Sequence, residues 1–163
     1  MTDMLIKLYE LEDDCQFLSK QQALGIGILK AIGPEKHRII AWVDDHLGAV
    51  WASETDVALC NKPGTCFVAV EDAKIIGFAC YDATAMGFFG PIGVVKSHRN
   101  KGTGKALLTA GLQDMKMKGY GYAIVGAVKD TNYYRNAVGA IEIPDSSPGI
   151  YHSQIRDSHP KIK

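Results

Sequence analysis

No apolar run in the sequence reaches the roughly 18–20 residues that span a bilayer. No helical membrane anchor is therefore expected. The first residues, MTDMLIKLYELEDD, are acidic and lack the basic start and apolar middle of a secretory signal. A cytoplasmic location is the expectation. Cysteine is scarce: Cys15, Cys60, Cys66 and Cys80 form no Cys-x-x-Cys pair and have no histidine at metal-ligand spacing. Reduced, mostly buried thiols and no metal site follow. Net charge is also lacking, because 18 basic residues balance 18 acidic ones. Whole-surface attraction to nucleic acid is not expected, and any anion site must be local. Repeats, low-complexity tracts and Pro/Gly/Ser-rich linkers are absent, so residues 1–163 are read as one domain.

What is present is a well-mixed globular composition, 47% hydrophobic and 22% charged. Residues 4–9 alternate loosely and predict a first strand. From Cys15 to about Leu47 apolar residues recur at helical spacing, broken at Gly33-Pro34 into two helices. Gly25 and Gly27 weaken the first of these by about 1 kcal/mol each relative to alanine. Residues 50–63 read as helix, turn or both. Cys66–Val70 and Lys74–Tyr81 make a hairpin around Glu71-Asp72-Ala73. Gly87–Lys96 is a further strand, and Gly90-Pro91 within it implies an edge, a bulge or a splay. A helix runs from Gly104 to about Lys118, and Tyr122–Val128 is an apolar run suited to a buried strand. Thr131 or Asn132 caps a short helix through about Val138, and Ile141–Ile143 is a last strand. The order predicts a mixed α/β (α+β) domain with one central sheet. Residues 87–128 should contain a parallel strand pair, because a helical crossover returns the chain in the same direction.

The segment SHRNKGTGKAL, residues 97–107, carries the chemistry. A Walker A loop fails here, since Ala106 stands where a magnesium-binding hydroxyl is needed and Arg99 where the first glycine is needed. A dinucleotide fingerprint fails at Leu107, the position of its third glycine. What remains is Arg99-x-x-Gly102-x-Gly104 at the start of a helix. Glycines let the backbone close on a bulky phosphate. The amides of residues 100–105 point into one concavity, and the helix terminus adds roughly half a positive charge. A pyrophosphate is the natural guest.

Arg99-Asn100-Lys101-Gly102-Thr103-Gly104 resembles the Arg/Gln-x-x-Gly-x-Gly/Ala acyl-CoA loop of the GNAT superfamily of N-acetyltransferases. The resemblance is sharp over residues 87–143 and only topological before them. It implies the GNAT fold, with splayed fourth and fifth strands flanked by helices. It implies acetyl-CoA (coenzyme A) as cofactor, its arm on Ile92, Gly93 and Val94 and its pyrophosphate on Arg99, Asn100, Lys101, Gly102, Thr103, Gly104 and Lys105. The stretch from Asn132 to Ala140 resembles the family's Asn…Phe-Tyr-x-x-x-Gly-Phe element, with one extra residue before the glycine. By that match Asn132 contacts the cofactor and Tyr134, rather than Tyr133, protonates the leaving thiolate. A phenol suits the task because its pKa of about 10 lies close to that of a thiol. A backbone N–H near Val94 would stabilise the oxyanion.

Carboxylates are missing from residues 87–96 and 120–128, where many of these enzymes carry their base. Asp130 is the first candidate, and a water chain ending on backbone carbonyls is the other. The expected activity is N-acetylation of a primary amine, of a small molecule rather than a protein tail. A non-catalytic acyl-CoA-binding module and a nucleotide-binding protein are the rival classes. Paired sheet edges, as in many relatives, would make a homodimer.

Overall fold

A computed structural model describes residues 1–12 and 16–155. The expectation for Cys15 lies outside them. Strand β1 (Thr2–Lys7) leads through a short 3-10 turn and helix α1 (Gln16–Ala23) to β2 (Ile26–Lys30). Helices α2 (Lys36–Leu47) and α3 (Ala49–Cys60) follow, separated by Gly48 alone. Then come β3 (Cys66–Glu71), β4 (Lys74–Tyr81), β5 (Phe89–Val94), α4 (Thr103–Met117), β6 (Tyr122–Val128), α5 (Thr131–Val138) and β7 (Ile141–Glu142).

One element departs from the sequence reading. Residues 26–30, read there as helix, form β2 and pair antiparallel with β3 from Ile26↔Glu71 to Lys30↔Phe67. Gly25, at φ 76°, stops α1 and turns the chain outward. IGILK satisfies helical and extended patterns equally, and the free edge of β3 decides between them. The ambiguous segment before Pro63 is helix α3 over most of its length.

The single predicted sheet is two. Strands β2-β3-β4-β5 form one antiparallel sheet and β6-β1-β7 another. They touch at one parallel bridge, Phe88↔Ile124, where the Ile124 N–H donates to Gly87 O at 2.9 Å. The predicted parallel approach is present, but the strands part immediately beyond it. The β4–β5 register shifts between Ala79 and Tyr81, beside Gly90-Pro91, so the proline sits at a bulge on an edge strand.

Period-two alternation divides the core. Cys66, Val68, Phe78 and Cys80 face α2 and α3 and pack with Ile39, Val43, Ala52 and Ala58. Phe67, Ala69, Ala79 and Tyr81 face the other way, onto Leu107, Leu108, Leu112 and Met115 of α4. Each of those three leucines is fully buried, contributing about 2 kcal/mol by the usual burial scale. Cys66 and Cys80 are free and buried, whereas Cys60 is exposed. Among the described residues no helix is long and apolar enough to cross a membrane.

Candidate active site

Helix α4 begins where the sequence placed an anion. Its N-cap, Gly102, has φ 80°, and Asn100 is also left-handed at φ 64°. Glycine takes this conformation without a Cβ penalty, and asparagine tolerates it better than most residues. Ala106 donates its N–H to Gly102 O at 3.0 Å. The N–H groups of residues 100–105 make no hydrogen bond among the described residues. Free amides at a helix start are a cradle for anionic oxygen.

The underside of this loop is held by a residue the sequence reading did not single out. Gln21, 2% exposed, donates through Nε2 to Lys101 O at 2.8 Å. Its Oε1 accepts from the Thr103 hydroxyl, also at 2.8 Å. One buried amide thus pins both sides of the glycine. Nothing local signals this, because Gln21 lies 80 residues upstream of Lys101.

The cationic side chains of the loop are turned elsewhere. Arg99 Nε donates to Val94 O at 3.2 Å. Lys101 stands 4.0 Å from Glu71, and the Lys105 ammonium lies 4.2 Å from the centre of the Phe17 ring. His98 Nε2 meets Glu71 at 2.7 Å, and this contact holds the Glu71 carboxyl below its usual range. At this loop the backbone amides, rather than the lysines, are left without partners among the described residues.

Strand β5 presents an open edge. The Val95 N–H goes to Ile76 O at 3.0 Å. By the alternation of an antiparallel ladder, Ile92 and Val94 turn their backbone groups away from β4, into the gap before β6. Gly93 turns its own toward β4. A Cβ at Gly93 would lie 2.8 Å from Leu47 Cδ1 and 3.3 Å from Trp51, so glycine lets α2 and α3 close on the strand.

Two tyrosines meet the site from α5. Asp130 caps this helix, accepting the Tyr133 N–H at 3.2 Å. Asn132 is exposed and accepts from Arg135 at 3.0 Å. The Tyr133 hydroxyl stands against the glycine loop, 3.4 Å from where a Gly104 Cβ would be. Tyr134 lies edge-to-face with it, ring centres 5.0 Å apart, and packs on the main core. Burial, then the Tyr133 phenol, pushes the Tyr134 pKa up. The Tyr134 hydroxyl makes no hydrogen bond among the described residues, yet no buried side-chain oxygen there lacks a partner. It therefore keeps access to solvent.

Loop and gap together define a class: an α/β fold with free amides at a helix terminus beside an open strand edge. The model of the acetyltransferase (GNAT) family matches residues 7–138, and the chain belongs to that family. Comparison with curated proteins returns no match. Among solved structures, it resembles a glucosamine N-acetyltransferase region of a fungal multi-domain β-N-acetylglucosaminidase, at TM-score 0.71 and 14% identity. The match covers 87% of this chain and 19% of that one. It also resembles a GCN5-related N-acetyltransferase from Sphaerobacter thermophilus, at TM-score 0.68 and 19% identity, covering 87% of this chain and 48% of that one. A GNAT acetyltransferase from Brucella melitensis, solved in complex with acetyl-CoA, matches at TM-score 0.52 and 19% identity, covering 68% and 80% of the two chains. At these identities the likeness is one of fold. The chain spans about a fifth and about half of the first two relatives.

Proposed function

We propose that this chain is an acetyl-CoA-dependent N-acetyltransferase acting on the primary amine of a small molecule. The observation that carries the reading is the pairing of free amides at residues 100–105 with the open edge of β5. The fit is chemical as well as geometric. A pyrophosphate needs several N–H donors at a helix terminus, and an extended amide-bearing arm needs an unpaired strand edge.

When bound, acetyl-CoA supplies an activated acetyl thioester. The loop amides hold its pyrophosphate, with Gln21 keeping them rigid. Ile92 and Val94 offer backbone groups to the arm. The Val94 N–H faces the gap, available to the oxygen on which negative charge develops. The acceptor nitrogen attacks directly, forming the C–N bond as the C–S bond breaks. Tyr134 gives its phenolic proton to the leaving sulfur, and a phenol is protonated at neutral pH. Asp130 commits one oxygen to the α5 cap, so as proton acceptor it would act through its second oxygen or a water.

Tyr134→Phe tests the mechanism. The expected result is a fall in kcat of about 100-fold with unchanged acetyl-CoA affinity. Unchanged turnover at every pH would remove Tyr134 from the acid role. A non-catalytic acyl-CoA-binding module is the second reading, favoured by the absence of any carboxylate from β5 and β6. Acetylation of any member of an amine panel decides against it.

A further inference from the structure

A second cleft, of about 590 Å³, opens between the N-terminal turns of α3, the loop after β4, and the chain near Tyr151. The Tyr151 hydroxyl is 2.9 Å from where a Gly126 Cβ would be on β6. The Phe88 ring, at the single bridge between the sheets, is 3.1 Å from the same point. Tyr151, which lines the cleft, therefore reaches β6 beside the bridge, and the cleft lies next to the parting of the two sheets.

Its walls are built rather than incidental. Asp3, 6% exposed, accepts the Ala127 N–H at 2.8 Å and donates its own N–H to Ser146 at 2.8 Å. Gly149 packs so closely on the same carboxylate that a Cβ would fall 2.8 Å from it. Strand β1 thus anchors the segment that carries Tyr151.

The lining is apolar at Val50, Ala83 and Ile150, and among the described residues it contains one formal charge, Glu54. Its carboxylate accepts the Thr84 hydroxyl, and Thr84 in turn contacts the Tyr151 hydroxyl. Among the described residues no lysine or arginine lines the cleft, and no cation pairs with Glu54. A half-buried carboxylate with a fixed orientation and no counter-ion favours a cation. The same charge disfavours any ligand carrying a carboxylate or phosphate nearby.

We infer that Glu54 is the selectivity residue of the acceptor cleft: it holds the incoming ammonium of a primary amine whose body is apolar and carries no anionic group, and one ammonium proton passes to water before the neutral nitrogen attacks. This rests on the acetyltransferase reading, since it assigns the amine partner to that site. Glu54 acts by recognition and positioning, with the Thr84 hydroxyl fixing its direction.

The test uses 2-phenylethylamine and phenylalanine, which differ by one carboxylate. Binding to the full chain is followed by ligand-observed NMR with coenzyme A present, and acetylation by thiol release. Glu54→Gln keeps the shape and a Thr84 partner while removing the charge. The expected result is 2-phenylethylamine binding that weakens by roughly 10-fold in the variant, with KM moved more than kcat. Phenylalanine should bind the wild type at least about 10-fold more weakly, and that ratio should shrink in Glu54→Gln. Equal affinities in wild type and variant, preference for phenylalanine, or binding of neither amine would overturn the inference. Acetyl-CoA titration of the same samples separates the two claims. Glu54-dependent amine binding without acetyl-CoA binding would sink the cofactor reading and leave the cleft. Acetyl-CoA binding with an indifferent Glu54 would do the reverse.

Discussion

Single residues set the shape of the loop at the start of α4, and Gln21 is the most informative of them. Gln21→Leu would leave Lys101 O and the Thr103 hydroxyl without their buried partner. Each such loss costs about 1–3 kcal/mol, so the midpoint of thermal unfolding should fall and acetyl-CoA binding should weaken with it. Thr103→Val in the same background should recover part of the stability, since it removes one stranded hydroxyl. An unchanged melting curve for Gln21→Leu would show that the loop holds itself. Gly102, Gly104 and Tyr134 could be singled out as candidates from the sequence because their signal is local: fixed spacings around one helix start and one helix cap. Gln21 and Glu54 were not, because their meaning comes from partners 82 and 30 residues away. Asp130 was noticed for its charge, and the structure adds a local task for it, the cap of α5.

At the scale of elements, the sequence resolved whatever had a strong period and clear punctuation. Helix α4 and strands β3 to β6 are of that kind. Strand β2 is not, because five residues with two glycines nearby fit helix and strand equally, and only its pairing with β3 settles the matter. The splay was foreshadowed by Gly90-Pro91, but its completeness was not, since a proline removes one ladder bond without dictating how far strands part. The seat of α4 on β5 depends on a residue without a side chain. A Cβ on Gly111 would come within 2.6 Å of the Phe89 ring, which is 2% exposed. Gly111→Ala should therefore destabilise the fold by about 1–3 kcal/mol through overpacking, despite alanine's better helix propensity. Phe89→Leu in the same chain should relieve the clash, and a double-mutant cycle in denaturant measures the coupling. Additive effects would mean that α4 moves aside freely.

Across the whole molecule, tyrosines tie the layers together and make stability depend on alkaline pH. The Tyr81 phenol donates to Asp114 of α4, and burial first, then that contact, pushes its pKa up. Tyr120 donates to Asp82 at 2.7 Å, a bond that raises its pKa to about 12. Burial also raises Tyr134. Each group keeps its proton more tightly folded than unfolded, where its pKa is about 10. Their contribution is therefore complete below about pH 10 and lost as pH rises through the folded values. Tyrosinate absorbance should rise late and together with loss of the far-ultraviolet dichroism signal. Normal titration of all tyrosines in an intact fold would contradict this. The central claim is that the amides at the start of α4 hold the pyrophosphate of acetyl-CoA. Calorimetric titration of the full chain with acetyl-CoA, and with ATP as control, tests it most directly. The account predicts micromolar binding of acetyl-CoA and much weaker binding of ATP. Gly102→Val and Gly104→Val should each reduce the acetyl-CoA affinity by about 10-fold or more. No heat at millimolar acetyl-CoA, or equal affinity in the valine variants, would contradict it.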